Sequence, residues 1–379
     1  MPFTRFPAAL LGAALVLGGC GDGVHPLDDE PVVYDFSAVD AGFARFLDDS
    51  AVFDGISYTL VDAEQGTVHE GALGDHTLDI VVQLASTSKM PSVSLLMALH
   101  EDPALDYDVE EMIGRYLPWD GVYGDRTTVE LVSNTSGIPG LGAITSEYLA
   151  AGHLCQFLGT VTLQECAETL YTNELPGTVA PSTEFNYGGT QWHLSGAVAE
   201  NVSNSTWNQA FDAYIGEPCD LEVFTYGNMW SDITSFTGDP DGLTGQENAH
   251  IEGGAITNMQ DYAKILLMHL RGGRCGDNQV LSQDAVEFMQ VDRAGRFGTP
   301  YGMGWWILPG DDENNEVVYD PGAFGAVSWL DMGRGIGGYV GIDDYTMTNA
   351  GAVYGLVLDV IIPAQQAAVD AARGASAAD

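Results

Sequence analysis

Lysine has almost vanished from this chain. Its 379 residues hold two, Lys89 and Lys264, and 12 Lys plus Arg stand against 54 Asp plus Glu, for a formal net charge of −42. Gripping phosphate takes clustered Lys and Arg, so nucleic acid is not expected as a partner and the folded part has little to offer an anionic membrane surface. Such a charge repels itself in the compact state, and salt relieves it, which points to a saline setting. Other signals are also missing. There is no Gly-rich phosphate loop and no Gly-x-Ser-x-Gly elbow, which argues against nucleotide hydrolysis and an α/β-hydrolase. The five cysteines show no Cys-x-x-Cys or Cys/His spacing, so neither a zinc site nor any other metal or cofactor is expected.

The 45% hydrophobic content supplies a sizeable core, and the length allows one large domain or two intertwined ones. Residues 1–20 read as a targeting leader: Arg5 is the positive region and Ala8 to Leu17 the apolar run, too short to span a bilayer as a mature helix. Leu17-Gly18-Gly19-Cys20 follows and resembles a bacterial lipobox, which implies lipidation of Cys20 and attachment to a lipid bilayer on the periplasmic face or cell surface. Residues 21–36 read as a flexible tether. The even count of the remaining cysteines suggests two disulfides, for which Cys155–Cys166 and Cys219–Cys275 is the favoured one of three pairings.

The chemistry centres on Ser86-Thr87-Ser88-Lys89, where a polar stretch gives way to Val93, Leu95, Leu96, Met97 and Leu99. That is how a buried helix begins. Residues three apart share a helical face, so Ser86 and Lys89 can touch. A serine hydroxyl is a weak nucleophile until a base takes its proton, and a lysine can be that base if burial or a positive neighbour lowers its pKa. A helix N-terminus also supplies free N–H groups for a developing oxyanion.

Around this stretch the elements follow a recognisable order. A helix with Ser37 as its cap covers 37–49, and Gly55–Val61 with Gly66–Leu73 forms a hairpin. Residues 127–139 read as a capped helix running into a turn, and 162–174, 191–202, 206–215 and 259–270 as helices. Strands return at 301–308, 317–324, 325–332 and 335–341, and 354–372 closes the chain as a helix. The fold class is therefore α+β: an antiparallel sheet built from both chain ends and flanked by helices, with a mainly helical subdomain inserted at about 100–250. The main domain is placed at 37–345, with a C-terminal helix and Ala-rich tail at 346–379.

Five segments in this order resemble the serine β-lactamase and penicillin-binding superfamily, in its class C branch with D-Ala-D-Ala carboxypeptidases and related esterases. The likeness covers roughly residues 40–345. Ser86-x-x-Lys89 resembles the nucleophile motif, and Thr128 to Pro139 the family's TIRxLLxHTSGLP, with Asn134 in place of His. Pro176 to Glu200 is similar to PGxxFxYSNxGYxLLGxIIE, and Ile251 to Leu267 to AGGLxSTxxDxARF. Asp320-Pro321-Gly322 stands where Lys or His, then Thr or Ser, then Gly would form the third motif. The resemblance implies a β-lactamase/transpeptidase-like fold and an acyl-enzyme on Ser86, with Lys89 and Tyr187 sharing the proton work. It also implies an oxyanion hole from the backbone N–H groups of Ser86 and Ala323, and a close approach of strand to substrate at Gly322.

Two departures bear on substrate. Gly189 replaces the asparagine that engages a substrate amide and helps hold the lysine, and Asp320 replaces the cation that engages a substrate carboxylate. Gly189, Asp320 and Gly322 are thus the substrate-facing candidates, although Asp320 could equally be a solvated strand-end acid. An ionised acid there would repel a β-lactam carboxylate. The loss of the second cation also favours Lys89 over Tyr187 as the base. The expected function is an exported serine hydrolase of a small-molecule or peptide ester or amide, nearer esterase or amidase than β-lactamase. A degenerate binding or scaffold lipoprotein, and a D-Ala-D-Ala carboxypeptidase or D-aminopeptidase, are the alternatives.

Overall fold

The computed structural model describes residues 31–376, apart from 51–52, 144–145, 232–235, 237, 244–245 and 309–316. The leader, Cys20 and most of the tether lie outside the described residues. The tether ends earlier than the sequence suggests. Tyr34 donates a 2.8 Å hydrogen bond to Asp62, and Phe36 is buried, so both belong to the domain.

Six strands form one sheet: β1 (Gly55–Asp62), β2 (Gly66–Gly74), β3 (Trp306–Leu308), β4 (Val317–Pro321), β5 (Val327–Asp331) and β6 (Ile336–Gly341). Their order is β2-β1-β6-β5-β4-β3 with antiparallel neighbours, so the two chain ends meet where Ser57–Asp62 pairs with Gly341–Ile336. Every residue of β1 is buried, as befits a strand covered on both faces. One face packs under helix α1 (Ser37–Asp49) and the C-terminal helix, with Phe43, Tyr58, Trp329, Val340 and Val357 in its core. That C-terminal helix runs from Ala350 to Ser376 through a π-helical segment at Val357–Ile361. By length and composition Ala350–Gly374 could cross a membrane, yet its apolar side is what covers the sheet. The other face meets α3 (Met259–Leu270), where Tyr262 stacks on Tyr339 at 4.2 Å, and shares its core with α2 (Lys89–Glu101).

Local chemistry explains most boundaries. Thr127 caps Thr128–Val132 through a capping box with Glu130, worth about 1 kcal/mol. Ser37 does not cap α1: it is the first helical residue, and Asp35 accepts its N–H at 3.0 Å. The strand expected over 301–308 shortens to β3, because Gly304, at φ +83°, turns the chain and leaves Tyr301 a single bridge to Trp306. The disulfides are Cys155–Cys166 and Cys219–Cys275, the favoured pairing; the first lies within the helical region and the second ties that region to the short strand Arg274–Cys275.

Candidate active site

Helix α2 is buried along Lys89–Leu99, and its sequence is apolar on nearly every side, as an enclosed helix must be. Pro91 sits in its first turn, where a missing N–H costs nothing. Immediately before it, Ala85–Ser88 forms a tight 3-10 turn entered through Ala85 at φ +46°, a left-handed conformation that costs a non-glycine residue energy. Several bonds hold the turn in place. Thr87 Oγ1 donates to the carbonyls of Asp320 (3.1 Å) and Ala326 (2.9 Å), and Ser88 Oγ donates to Ala85 at 2.6 Å while accepting Ala255 N–H at 3.1 Å. Tyr262 donates to the Thr87 carbonyl at 2.9 Å.

This turn exposes Ser86 partially while burying its neighbours. Lys89 Nζ lies 3.0 Å from Ser86 Oγ and 3.0 Å from the Glu252 carbonyl, to which it donates. It also lies 3.6 Å from Glu252 Oε2 and 4.7 Å from the centre of the Tyr187 ring. Thus Tyr187, distant in sequence, comes to the Ser86–Lys89 pair. Asn134 arranges the tyrosine's loop. Its carbonyl accepts Asn186 N–H at 2.8 Å, and its Oδ1 accepts from Gly188 N–H, Gln191 Nε2 and Trp192 Nε1. Asn134 itself sits at φ +60°, which asparagine tolerates better than most residues. The ring of Tyr187 leans on Trp306 at 5.3 Å between centroids, while Trp305 is fully buried.

Gly322 follows β4 directly against the nucleophile turn. A Cβ there would fall 2.0 Å from the Leu84 carbonyl oxygen, so only glycine permits the approach. The turn after Gly322, closed by Gly325 N–H to the Gly322 carbonyl at 3.0 Å, holds Ala323 beside this contact. Phe324 in that turn stacks on Trp230 with ring centroids 5.3 Å apart, and Trp230 Nε1 donates to the Gly253 carbonyl at 3.1 Å.

Asp320 is not a solvated strand-end acid. It is fully buried, and neither carboxylate oxygen has a hydrogen-bond partner. Burial pushes its pKa well above the usual carboxylate range; Lys89 pulls it back in part, and Glu252 adds to the rise. Burial therefore works against the charge that would repel a substrate carboxylate. What remains of the electrostatic argument is the missing cation.

The protonation of Lys89 also differs from the sequence reading. Burial alone depresses its pKa, but Tyr187, Glu252 and Asp320 together outweigh burial and leave it raised. The lysine rests as an ammonium that donates to Ser86. Burial likewise raises Tyr187, against the pull of Lys89.

Sequence reasoning missed Glu252. Its side chain is 2% exposed, and its Oε1 accepts Gly189 N–H at 2.8 Å. The signal was present: an acid stands immediately before Gly253-Gly254, in a stretch that otherwise reads as small and apolar. Among the described residues, no group of three or more His, Cys, Asp or Glu could hold a metal ion.

Solved structures share this fold. EstCE1, a hydrolase with promiscuous acyltransferase activity, superposes with a TM-score of 0.67 at 17% identity, covering 84% of this chain and 98% of that one. The octameric penicillin-binding protein homologue from Pyrococcus abyssi gives 0.63 at 19%, covering 86% and 77%. A D-stereospecific amidohydrolase from Streptomyces sp. gives 0.60 at 17%, covering 82% and 95%. At these identities the likeness establishes the fold alone. No curated protein matches the sequence. The beta-lactamase family model matches residues 45–348, about four-fifths of the chain, and the protein belongs to that family.

Proposed function

We propose that this protein is an exported serine hydrolase that cleaves esters, or unhindered amides, through an acyl-enzyme on Ser86. One observation carries the reading: Lys89 Nζ sits 3.0 Å from Ser86 Oγ on a turn bonded to the sheet, while the third-motif position holds a buried, unpaired carboxyl group instead of a cation. The first half supplies a nucleophile with a proton acceptor in reach. The second removes the group that would hold a β-lactam's carboxylate, so a neutral ester is the better substrate.

The steps follow from the placement of the groups. Ser86 Oγ adds to the carbonyl carbon as its proton passes to Lys89 in the lysine's neutral form. The oxyanion is met by the N–H groups of Ser86 and Ala323. Lys89 and Tyr187 then deliver the proton to the leaving oxygen or nitrogen, whose bond to the acyl carbon breaks. Water, deprotonated by the same pair, releases the acid and restores Ser86. The aromatic walls around Tyr187–Trp306 and Trp230–Phe324 suit an apolar acyl or leaving group. Three fold neighbours carry related names: a hydrolase with acyltransferase activity, a D-stereospecific amidohydrolase and simvastatin synthase. Export and anchoring through Cys20 are supported by the leader and by two disulfides, which persist in oxidising compartments.

The test is turnover of a p-nitrophenyl ester beside nitrocefin. The wild type should hydrolyse the ester and barely touch nitrocefin, and Ser86→Ala should abolish the ester activity. Ester turnover by Ser86→Ala equal to wild type would reject the nucleophile.

A further inference from the structure

None of those steps uses the carboxylate of Glu252, although it is the acid nearest the reacting groups. The Lys89 side chain is fully buried, and an ammonium out of water needs a counter-charge. Among the described residues, Glu252 is the acid that comes within 4 Å of Nζ, at 3.6 Å.

The local backbone is built to admit that carboxylate. A Cβ on Gly188 would lie 2.7 Å from Glu252 Oε2, and one on Gly189 would lie 2.8 Å from Tyr148 Oη. Both glycines have positive φ, at +72° and +85°, and the Gly189 N–H holds Oε1. The asparagine that a relative would carry at position 189 is therefore excluded by shape, and a carboxylate from another loop takes the space beside the lysine.

Other titratable groups face this pair. On the Lys89 side these are Ser86, Tyr187 and Asp320. On the Glu252 side they are His250, whose Nε2 is 3.8 Å from Oε1, and Tyr148. Behind His250 lies His193, with ring centroids 5.6 Å apart. Burial holds both histidines neutral, with His193 pushed down to about 4. Burial favours the neutral form of Asp320 as well. Burial also raises Glu252, against the pull of Lys89 and the Gly189 N–H toward the charged form.

We infer that Glu252 is the counter-ion of Lys89 and sets the pH at which Ser86 becomes a nucleophile. The inference rests on the Ser86–Lys89 reading above. Glu252 touches no reacting atom; it is a positioning residue that acts through the lysine. As pH rises, the Lys89 ammonium gives a proton to hydroxide, forming water. Its freed lone pair then accepts the Ser86 proton as Oγ bonds to the acyl carbon. The negative charge on Glu252 postpones that first loss.

The two-lysine composition makes this directly measurable. Protein labelled with carbon-13 at the lysine Cε gives two NMR signals, Lys89 and Lys264, and Lys264 serves as the internal control. In wild type the Lys89 signal should titrate later than an ordinary lysine. In Glu252→Gln, which keeps an acceptor for Gly189 N–H, its midpoint should fall by at least one pH unit with Lys264 unmoved. The acid limb of Ser86 labelling by a fluorophosphonate should shift down with it. Glu252→Asp, with the charge on a shorter arm, should fall between the two and serves if the Gln variant fails to fold. Equal Lys89 titration in wild type and the variants would overturn the inference. The NMR titration reads the lysine whether or not any ester is cleaved, so failure of this inference and failure of the hydrolase reading give different results.

Discussion

Two aspartates on the same sheet are equally hidden and oppositely treated. Asp62, at the end of β1, is 1% exposed and accepts four hydrogen bonds: from Tyr34 Oη, Glu64 N–H, Gln65 N–H and Arg373 Nη2, at 2.7–3.0 Å. Burial pushes its pKa up, but those donors and the Arg373 charge reverse the shift and leave it lowered. Asp320, on β4, is fully buried with both oxygens unpartnered, and its pKa is raised. One end of the sheet satisfies its buried charge and serves stability. The other leaves polar demand unmet beside Ser86, which is the mark of a site.

Mutating each centre tests the contrast, and the largest effect belongs to the site. Lys89→Ala should cut ester turnover by about 10²–10⁴, the range for losing a positioned acid–base group, without abolishing the fold. Ester activity within tenfold of wild type would remove Lys89 from the proton path. At the other centre, Asp62→Ala should leave activity intact and cost about 3 kcal/mol of stability, because it strands Arg373, Tyr34 and two backbone N–H groups. A chemical denaturation midpoint equal to wild type would show that this end is not the structural one.

The third variant reads the sign. Folding raises the pKa of Asp320, so this group favours the folded state below the unfolded value of about 3.9 and loses that contribution as pH rises toward the folded value. Asp320→Asn, which removes the ionisation, should therefore raise Tm at pH 8, and the gain should shrink toward pH 4. Asp62 works the other way: its lowered pKa contributes stability above about pH 3.9 that disappears on acidification. A Tm gain in Asp320→Asn that is the same at both pH values would break the comparison. The smallest effect is global. With a net charge of −42, Tm should rise by a few degrees between low and about 0.5 M NaCl, and a flat response would mean that self-repulsion is unimportant here.

Much of this organisation was legible in the chain because it is local. A serine and lysine three apart at the head of an apolar helix must share a face, and Thr127 three residues before Glu130 is a capping signal by itself. The hairpin and the late strands show alternation or dense apolar runs, so the sheet from both chain ends could be read. Long-range packing was less visible. The burial of Asp320 depends on Gly322 closing onto Leu84, a contact 238 residues apart in sequence. The raised pKa of Lys89 depends on Tyr187, Glu252 and Asp320 converging from distant segments, and Glu252 looks like any surface acid in a chain with 54 Asp and Glu. Asp35 takes the capping role expected of Ser37 because the chain enters α1 already packed through Tyr34 and Phe36.

The central claim is that Ser86 is an acyl-forming nucleophile in a site that does not hold a β-lactam carboxylate. Mass spectrometry of the intact protein and its peptides, after separate exposure to a fluorophosphonate and to a penicillin, tests it most directly. The account predicts a single adduct on Ser86 from the fluorophosphonate and none from the penicillin. Labelling of Ser86 by both reagents would contradict the assigned specificity, and labelling by neither would contradict the nucleophile.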